Sequence, residues 1–171
     1  MFNRILGVLK LDSNTFEEIE HDENATTQAV IIVAVIALIS ALGSGIGSSI
    51  GGGGFIGNFI STLIWGFVGW LLWSVVTYFV GTALFKGQAT VGEMLRVIGF
   101  AYAPQFISII PCIGWIIGLI WTLAAGFVAV RQGLDLDNMK AFFTIVIGFI
   151  VVAIGYALIG LVLGGIGSLF G

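Results

Sequence analysis

Three long stretches of this chain carry no charge, and that absence constrains the fold more than any motif does. Residues 24–85, 97–130 and 141–171 contain no Asp, Glu, Lys or Arg. A helix needs about 20 apolar residues to cross the hydrocarbon of a bilayer, so uncharged runs of 62, 34 and 31 residues leave room for several crossings. Composition agrees. Charged residues are 9% and hydrophobic residues 58% of 171, against roughly 25% charged in an ordinary soluble domain. A water-soluble domain of this length must show too much of its surface to be so apolar. Disorder is excluded for the opposite reason, since disordered chains are polar and charged. The single cysteine, Cys112, rules out a disulfide within the chain. A net charge of −3 with six Lys and Arg argues against a nucleic-acid partner.

The fold class expected is therefore all-α: an integral membrane bundle of five transmembrane helices with a short cytoplasmic N-terminal amphipathic segment. The longest run divides at Gly51-Gly52-Gly53-Gly54, which cannot hold a helix well. That places spans near 27–50 and 58–85. The middle run is interrupted by Pro111-Cys112-Ile113-Gly114 and reads as two short spans, 91–110 and 113–130. The last run holds one, 141–164. Thr90-Val91-Gly92-Glu93 has the spacing of a capping box and should open the third span. The chain thus divides into an N-terminal segment, 1–26, and a membrane domain, 27–171.

With five spans, Arg4, Lys10, Lys86, Arg96, Arg131 and Lys140 all fall on one side, and the turns at 51–54 and 111–114 carry no basic residue. Lys and Arg concentrate in cytoplasmic loops. The expected N-terminus is cytoplasmic and the C-terminus outside, with no cleavable signal peptide. Phe2, Ile5, Leu6 and Leu9 recur at helical spacing and suggest a short surface helix. A second capping box is expected at Thr15-Phe16-Glu17-Glu18. Phe16 and Ile19 face one way. These residues either meet the membrane surface or pack on the spans.

Reactive chemistry is hard to find. The one histidine, His21, lies outside every expected span, and no Asp lies inside one. That removes the Ser-His and paired-aspartate arrangements of intramembrane hydrolysis. No H-E-x-x-H and no calcium-loop pattern occurs, so no metal and no cofactor are expected. Gly52-Gly53-Gly54-Phe55-Ile56-Gly57 fits G-x-G-x-x-G, but no strand precedes it and Thr77 stands where an acidic residue should follow. It reads as a turn. The acidic run Asp12, Glu17, Glu18, Glu20, Asp22 and Glu23 reads as a solvated face or a docking surface.

The candidate functional positions lie on the third span. Glu93 and Arg96, three residues apart, can pair. Pro104 removes a backbone hydrogen bond and should kink the helix. Gly99, Tyr102 and Gln105 lie close by on the same element. Candidate helix-packing positions are Gly43, Gly47 and Gly51, and Gly160 and Gly164, each four residues apart, as are Gly114 and Gly118.

Residues 90–104, Thr-Val-Gly-Glu-Met-Leu-Arg-Val-Ile-Gly-Phe-Ala-Tyr-Ala-Pro, resemble the Yip family of Ypt/Rab-GTPase-interacting multispanning membrane proteins. Gly99, Tyr102 and Pro104 look like the family's Gly-Tyr-x-x-x-Pro-like stretch, with Phe100 where Tyr is frequent. The resemblance implies five spans and a cytoplasmic N-terminus. Eukaryotic members carry an Asp-Leu-Tyr-Gly-Pro element that is missing here, so the chain is similar to the short prokaryotic-type form, and GTPase binding is not carried over.

The function expected is that of a non-enzymatic scaffold or adaptor in a prokaryotic cytoplasmic membrane. The alternative is a small oligomeric transporter or channel component for a neutral or lipid-like substrate. Candidate partners are membrane lipids, membrane or cytoplasmic proteins, and further copies of the chain.

Overall fold

The structure, a computed structural model, describes residues 1–109 and 113–170, and the side chains of these except residues 109, 115, 156 and 158–170. The elements are α1 (Phe2–Leu9), α2 (Ser13–His21), α3 (Ala25–Ile50), α4 (Phe55–Phe85), α5 (Val91–Ala101), a 3-10 segment (Ala103–Ile109), α6 (Gly114–Gly133) and α7 (Asn138–Phe170). No strand occurs among the described residues. The glycine turn separates α3 from α4 as its composition requires. Gly52 adopts φ +81°, which glycine reaches without a Cβ penalty.

Among the described residues, four helices are long and apolar enough to cross a membrane: α3, α4, α6 from Ile116, and α7 over Asn138–Gly155. The expected five transmembrane helices are thereby corrected to four. The span expected at 91–110 is an 11-residue α-helix followed by a seven-residue 3-10 segment, rising about 16 Å and about 14 Å. Pro104 favours this break locally. It has no N–H to donate, and its ring disfavours the α conformation at Ala103. The backbone tightens to i→i+3 bonds, with the Gln105 N–H on the Tyr102 carbonyl at 2.9 Å. This broken element runs antiparallel to α6. A Cβ on Gly133 would meet Val97 at 2.7 Å, and one on Gly118 would meet Ile107 at 3.1 Å. Of the turn expected at 111–114, residues 111 and 112 lie outside the described residues, and α6 begins at Gly114.

The helices approach each other along a stripe that differs from the expected one. On α3 the residues Ala25, Ala29, Val33, Ala37, Ala41 and Gly45 recur every four positions and are buried. Small side chains on such a row let backbones come close. A Cβ on Gly66 of α4 would lie 2.8 Å from the Ala37 Cβ. Among the described residues, the contact between α3 and α4 is the most extensive. Among the described residues, a Cβ on Gly43 or Gly47 would meet no atom within 4 Å beyond its own helix, and one on Gly51 meets only carbonyls of its own turn. They sit two residues from Gly45, about 200° round the helix, so the expected stripe faces away from the bundle. Gly160 and Gly164 belong to the part of α7 whose side-chain surroundings are not described. Gly114 is buried at the start of α6, and Gly118 lies against the 3-10 segment as above.

The N-terminal helices are packed on the bundle. Val8, Phe16 and Ile19 are fully buried, whereas Phe2 and Leu6 of the expected stripe stay exposed. α2 starts earlier than expected. Asp12 takes the N-cap, accepting from the Asn14 N–H at 3.3 Å and the Thr15 hydroxyl at 2.7 Å. Aspartate is a strong N-cap, and with Thr15 inside the helix the second capping box does not form.

Candidate functional site

The start of α5 is fixed by the capping box. The Thr90 N–H donates to Glu93 Oε2 at 2.6 Å, and the Glu93 N–H donates to Thr90 Oγ1 at 3.2 Å. Glu93 is thus mainly a cap, and its carboxylate reaches Arg96 only at 4.0 Å. Arg96 is buried and turns elsewhere. Its Nε and Nη2 donate to the backbone carbonyl of Glu20 at 3.0 and 2.5 Å. A guanidinium inside the bundle therefore holds α2 onto α5 across 76 residues of chain.

Gly99 lies at a close approach of three helices. A Cβ there would lie 2.7 Å from the Ala29 Cβ of α3 and 3.2 Å from Trp70 Nε1 of α4. Trp70 Nε1 donates to the Leu95 carbonyl at 3.1 Å. One turn further on, the break at Pro104 leaves two hollows of about 260 and 420 Å³, with Tyr102 and Thr122 lining both. The first is walled by Leu72, Trp73 and Phe149 and the second by Thr62, Trp65 and Gln105. Between them the Thr122 hydroxyl donates to Gln105 Oε1 at 3.1 Å. The structure brings Arg96, Gly99, Tyr102, Pro104 and Gln105 onto one broken element, as the spacing suggests. It leaves Gly43, Gly47 and Gly51 apart from it.

The three charged stretches meet at one end. The Gln88 N–H donates to the Leu134 carbonyl at 3.0 Å, joining the loop after α4 to the end of α6. Arg131 Nη2 donates to Ser13 Oγ at 2.5 Å and Gln132 Nε2 to Glu17 Oε2 at 3.0 Å. Trp121 Nε1 donates to the Leu9 carbonyl at 3.0 Å. Arg4 pairs with Glu18 at 2.8 Å and Asp22 at 2.7 Å. The Arg4 hydrogen bond, aided by the Asn24 N–H, holds the Asp22 carboxyl below its ordinary range. Much of the acidic run is thus engaged in fastening the N-terminal helices rather than standing free.

Glu20 is the exception. Its residue surface is 5% exposed, and its Oε2 is buried with no hydrogen-bond partner. Burial, then the charges of Asp135 and Glu17, push its carboxyl up to about 7. His21 Nδ1 donates to the Glu17 carbonyl at 2.9 Å, and this bond, with the Glu20 charge, raises the imidazole above its ordinary value. One ligand-type atom from each of Glu17, Glu20 and His21 lies within 4.8 Å of the others. In the sequence Glu17 and Glu20 read as part of a solvated face or docking surface, and His21 only as a histidine outside the spans. The available signal is their i, i+3, i+4 spacing, which stacks them on one side of a helix.

The family model for the Yip1 domain matches residues 6–162. No curated protein and no solved structure matches the chain.

Proposed function

The chain belongs to the Yip1-domain family, and from that membership we propose that this multi-pass membrane protein is a non-enzymatic adaptor whose working surface is its charged end. One observation carries the reading. Helices α1 and α2 are fastened to the bundle by hydrogen bonds from Arg96, Arg131, Gln132 and Trp121, which makes a preorganised polar platform at one end of an otherwise apolar body. Preorganised surfaces lose less freedom on binding a partner. The six basic residues belong to the stretches gathered there, which supports a cytoplasmic location for that end and a prokaryotic cytoplasmic membrane as the setting. The partners expected are membrane or cytoplasmic proteins held partly by charge. The transporter reading gains little from the two hollows, because the polar pair between them, Gln105 and Thr122, is bonded to itself.

Photo-crosslinking tests the proposal. A benzophenone amino acid is placed at Asn14 or Glu23 on the platform, or at Gly53 in the opposite turn, in cells of the source type. Mass spectrometry should find discrete protein adducts from the platform positions and lipid or nothing from Gly53. Equal adduct patterns from all three sites would remove the platform as the working surface.

A further inference from the structure

We propose that Glu17, Glu20 and His21 of α2 form a binding site for one divalent transition-metal cation of the Zn²⁺ class. The three side chains follow i, i+3, i+4 spacing, and their ligand atoms already lie within 4.8 Å of each other. When each atom sits about 2.0–2.2 Å from an ion, small side-chain rotations close that envelope. One imidazole with two carboxylates suits a borderline cation and leaves further positions for water.

Two further observations separate this cluster from an ordinary acidic patch. Glu20 Oε2 is buried and has no partner. A buried carboxylate oxygen without a hydrogen bond is costly, and a cation between Glu20 and His21 would supply the missing contact. The cation nearest to hand in the fold, the Arg96 guanidinium, does not supply it, because its Nε and Nη2 donate to the Glu20 backbone carbonyl. The second observation is the orientation of the ring. With Nδ1–H on the Glu17 carbonyl, the neutral imidazole keeps its lone pair on Nε2, and a backbone carbonyl on the other nitrogen is how ligating histidines are commonly held. Glu17 Oε2 accepts from Gln132, which leaves Oε1 to serve an ion. The carboxylates of Asp135 and Glu93 add negative potential around Glu20. The site stands on its own geometry and is independent of the adaptor reading.

The test uses tag-free, full-length protein in lipid nanodiscs, stripped with a chelator and titrated with Co²⁺ and then with Zn²⁺ as competitor. The expected result is one Co²⁺ per chain, with a visible d–d spectrum that Zn²⁺ abolishes and excess Mg²⁺ does not. Glu20→Gln keeps the shape of the buried side chain and should weaken binding at least about 10-fold, the scale on which even supporting partners of a metal act. His21→Asn changes an exposed residue, leaves folding intact and should weaken binding equally. Glu23→Gln should leave it unchanged. Binding that is unaltered in both Glu20→Gln and His21→Asn, or that Mg²⁺ displaces without preference, would overturn the proposal in favour of diffuse attraction to the acidic run.

Discussion

Helices α4 and α5 follow each other in the chain and solve opposite problems. α4 has 31 residues, of which five, Trp70, Ser74, Thr77, Val80 and Gly81, are buried. α5 has 11 residues, of which seven are buried, including Arg96 and Gly99. The long helix turns large apolar side chains outward, with Ile64, Trp65, Phe79 and Leu84 at least half exposed. The short one is the packed centre, held by a capping box and by bonds to α2 and α4. In a bilayer, lipid is as apolar as leucine, so hydropathy does not separate inside from outside. Buried positions are marked instead by small residues that admit a neighbour and by polar groups that need a partner inside the protein.

The largest test of this contrast is Arg96→Ala. It removes two charge-assisted bonds to the Glu20 carbonyl and leaves that carbonyl buried. Bonds of this kind contribute about 1.5–3 kcal/mol each, so a loss of about 3 kcal/mol is expected in detergent unfolding. The region around residues 22–24 should also become sensitive to limited proteolysis as α2 lifts away. Phe79→Ala on the outer face of α4 removes a large apolar side chain and should change stability by less than about 0.5 kcal/mol. Equal losses from the two would break the distinction between the helices.

A sharper and smaller test uses glycines alone. Gly99→Ala would drive a Cβ to 2.7 Å from the Ala29 Cβ, and such overpacking costs about 1–3 kcal/mol. Gly69→Ala on α4 meets no atom within 4 Å and should stabilise by about 0.5–1 kcal/mol through helix propensity. Thermal unfolding of the two variants in matched detergent should move in opposite directions.

The structure is legible in the sequence where one local cause decides it. Four consecutive glycines end α3 at Ile50, and Thr90 with Glu93 opens α5 at Val91. It is not legible where the cause is distant or rotational. Residues 91–110 are as apolar as a continuous span, and periodicity does not distinguish an α-helix from an α-helix that tightens into a 3-10 segment. Pro104 is the visible sign, but a kink and a break look alike in sequence. The stripe Gly43/Gly47/Gly51 stands out by residue type, whereas Ala25, Ala29, Ala37, Ala41 and Gly45 carry the contact. Only tertiary structure tells the two sides of α3 apart. The burial of Glu20 depends on α5, which lies 76 residues further along the chain at Arg96, and no local pattern announces it.

Pro104→Ala should have the smallest effect, and its smallness is informative. Proline accounts locally for the break, so restoring the N–H invites a continuous helix from Val91 onward. Packing opposes this. The 3-10 segment lies along α6 in an extensive interface, and Gln105 is bonded to Thr122 of α6 at 3.1 Å. Converting the segment from 3-10 to α would shorten its rise from about 2.0 to 1.5 Å per residue and rotate Gln105 and the residues after it away from their α6 partners. The Pro104→Ala variant should therefore keep the 3-10 conformation at this position and the hollows beside Tyr102. Its stability should change by less than about 1 kcal/mol, the scale of the unfolded-chain entropy that a proline removes. Cysteine pairs at Gln105 and Thr122 report the geometry directly: oxidative crosslinking should be as efficient in the Pro104→Ala background as with the proline in place. If crosslinking collapses while the protein stays folded, proline rather than α6 holds the break, and α5 would be one substitution from becoming a span-length helix like α4.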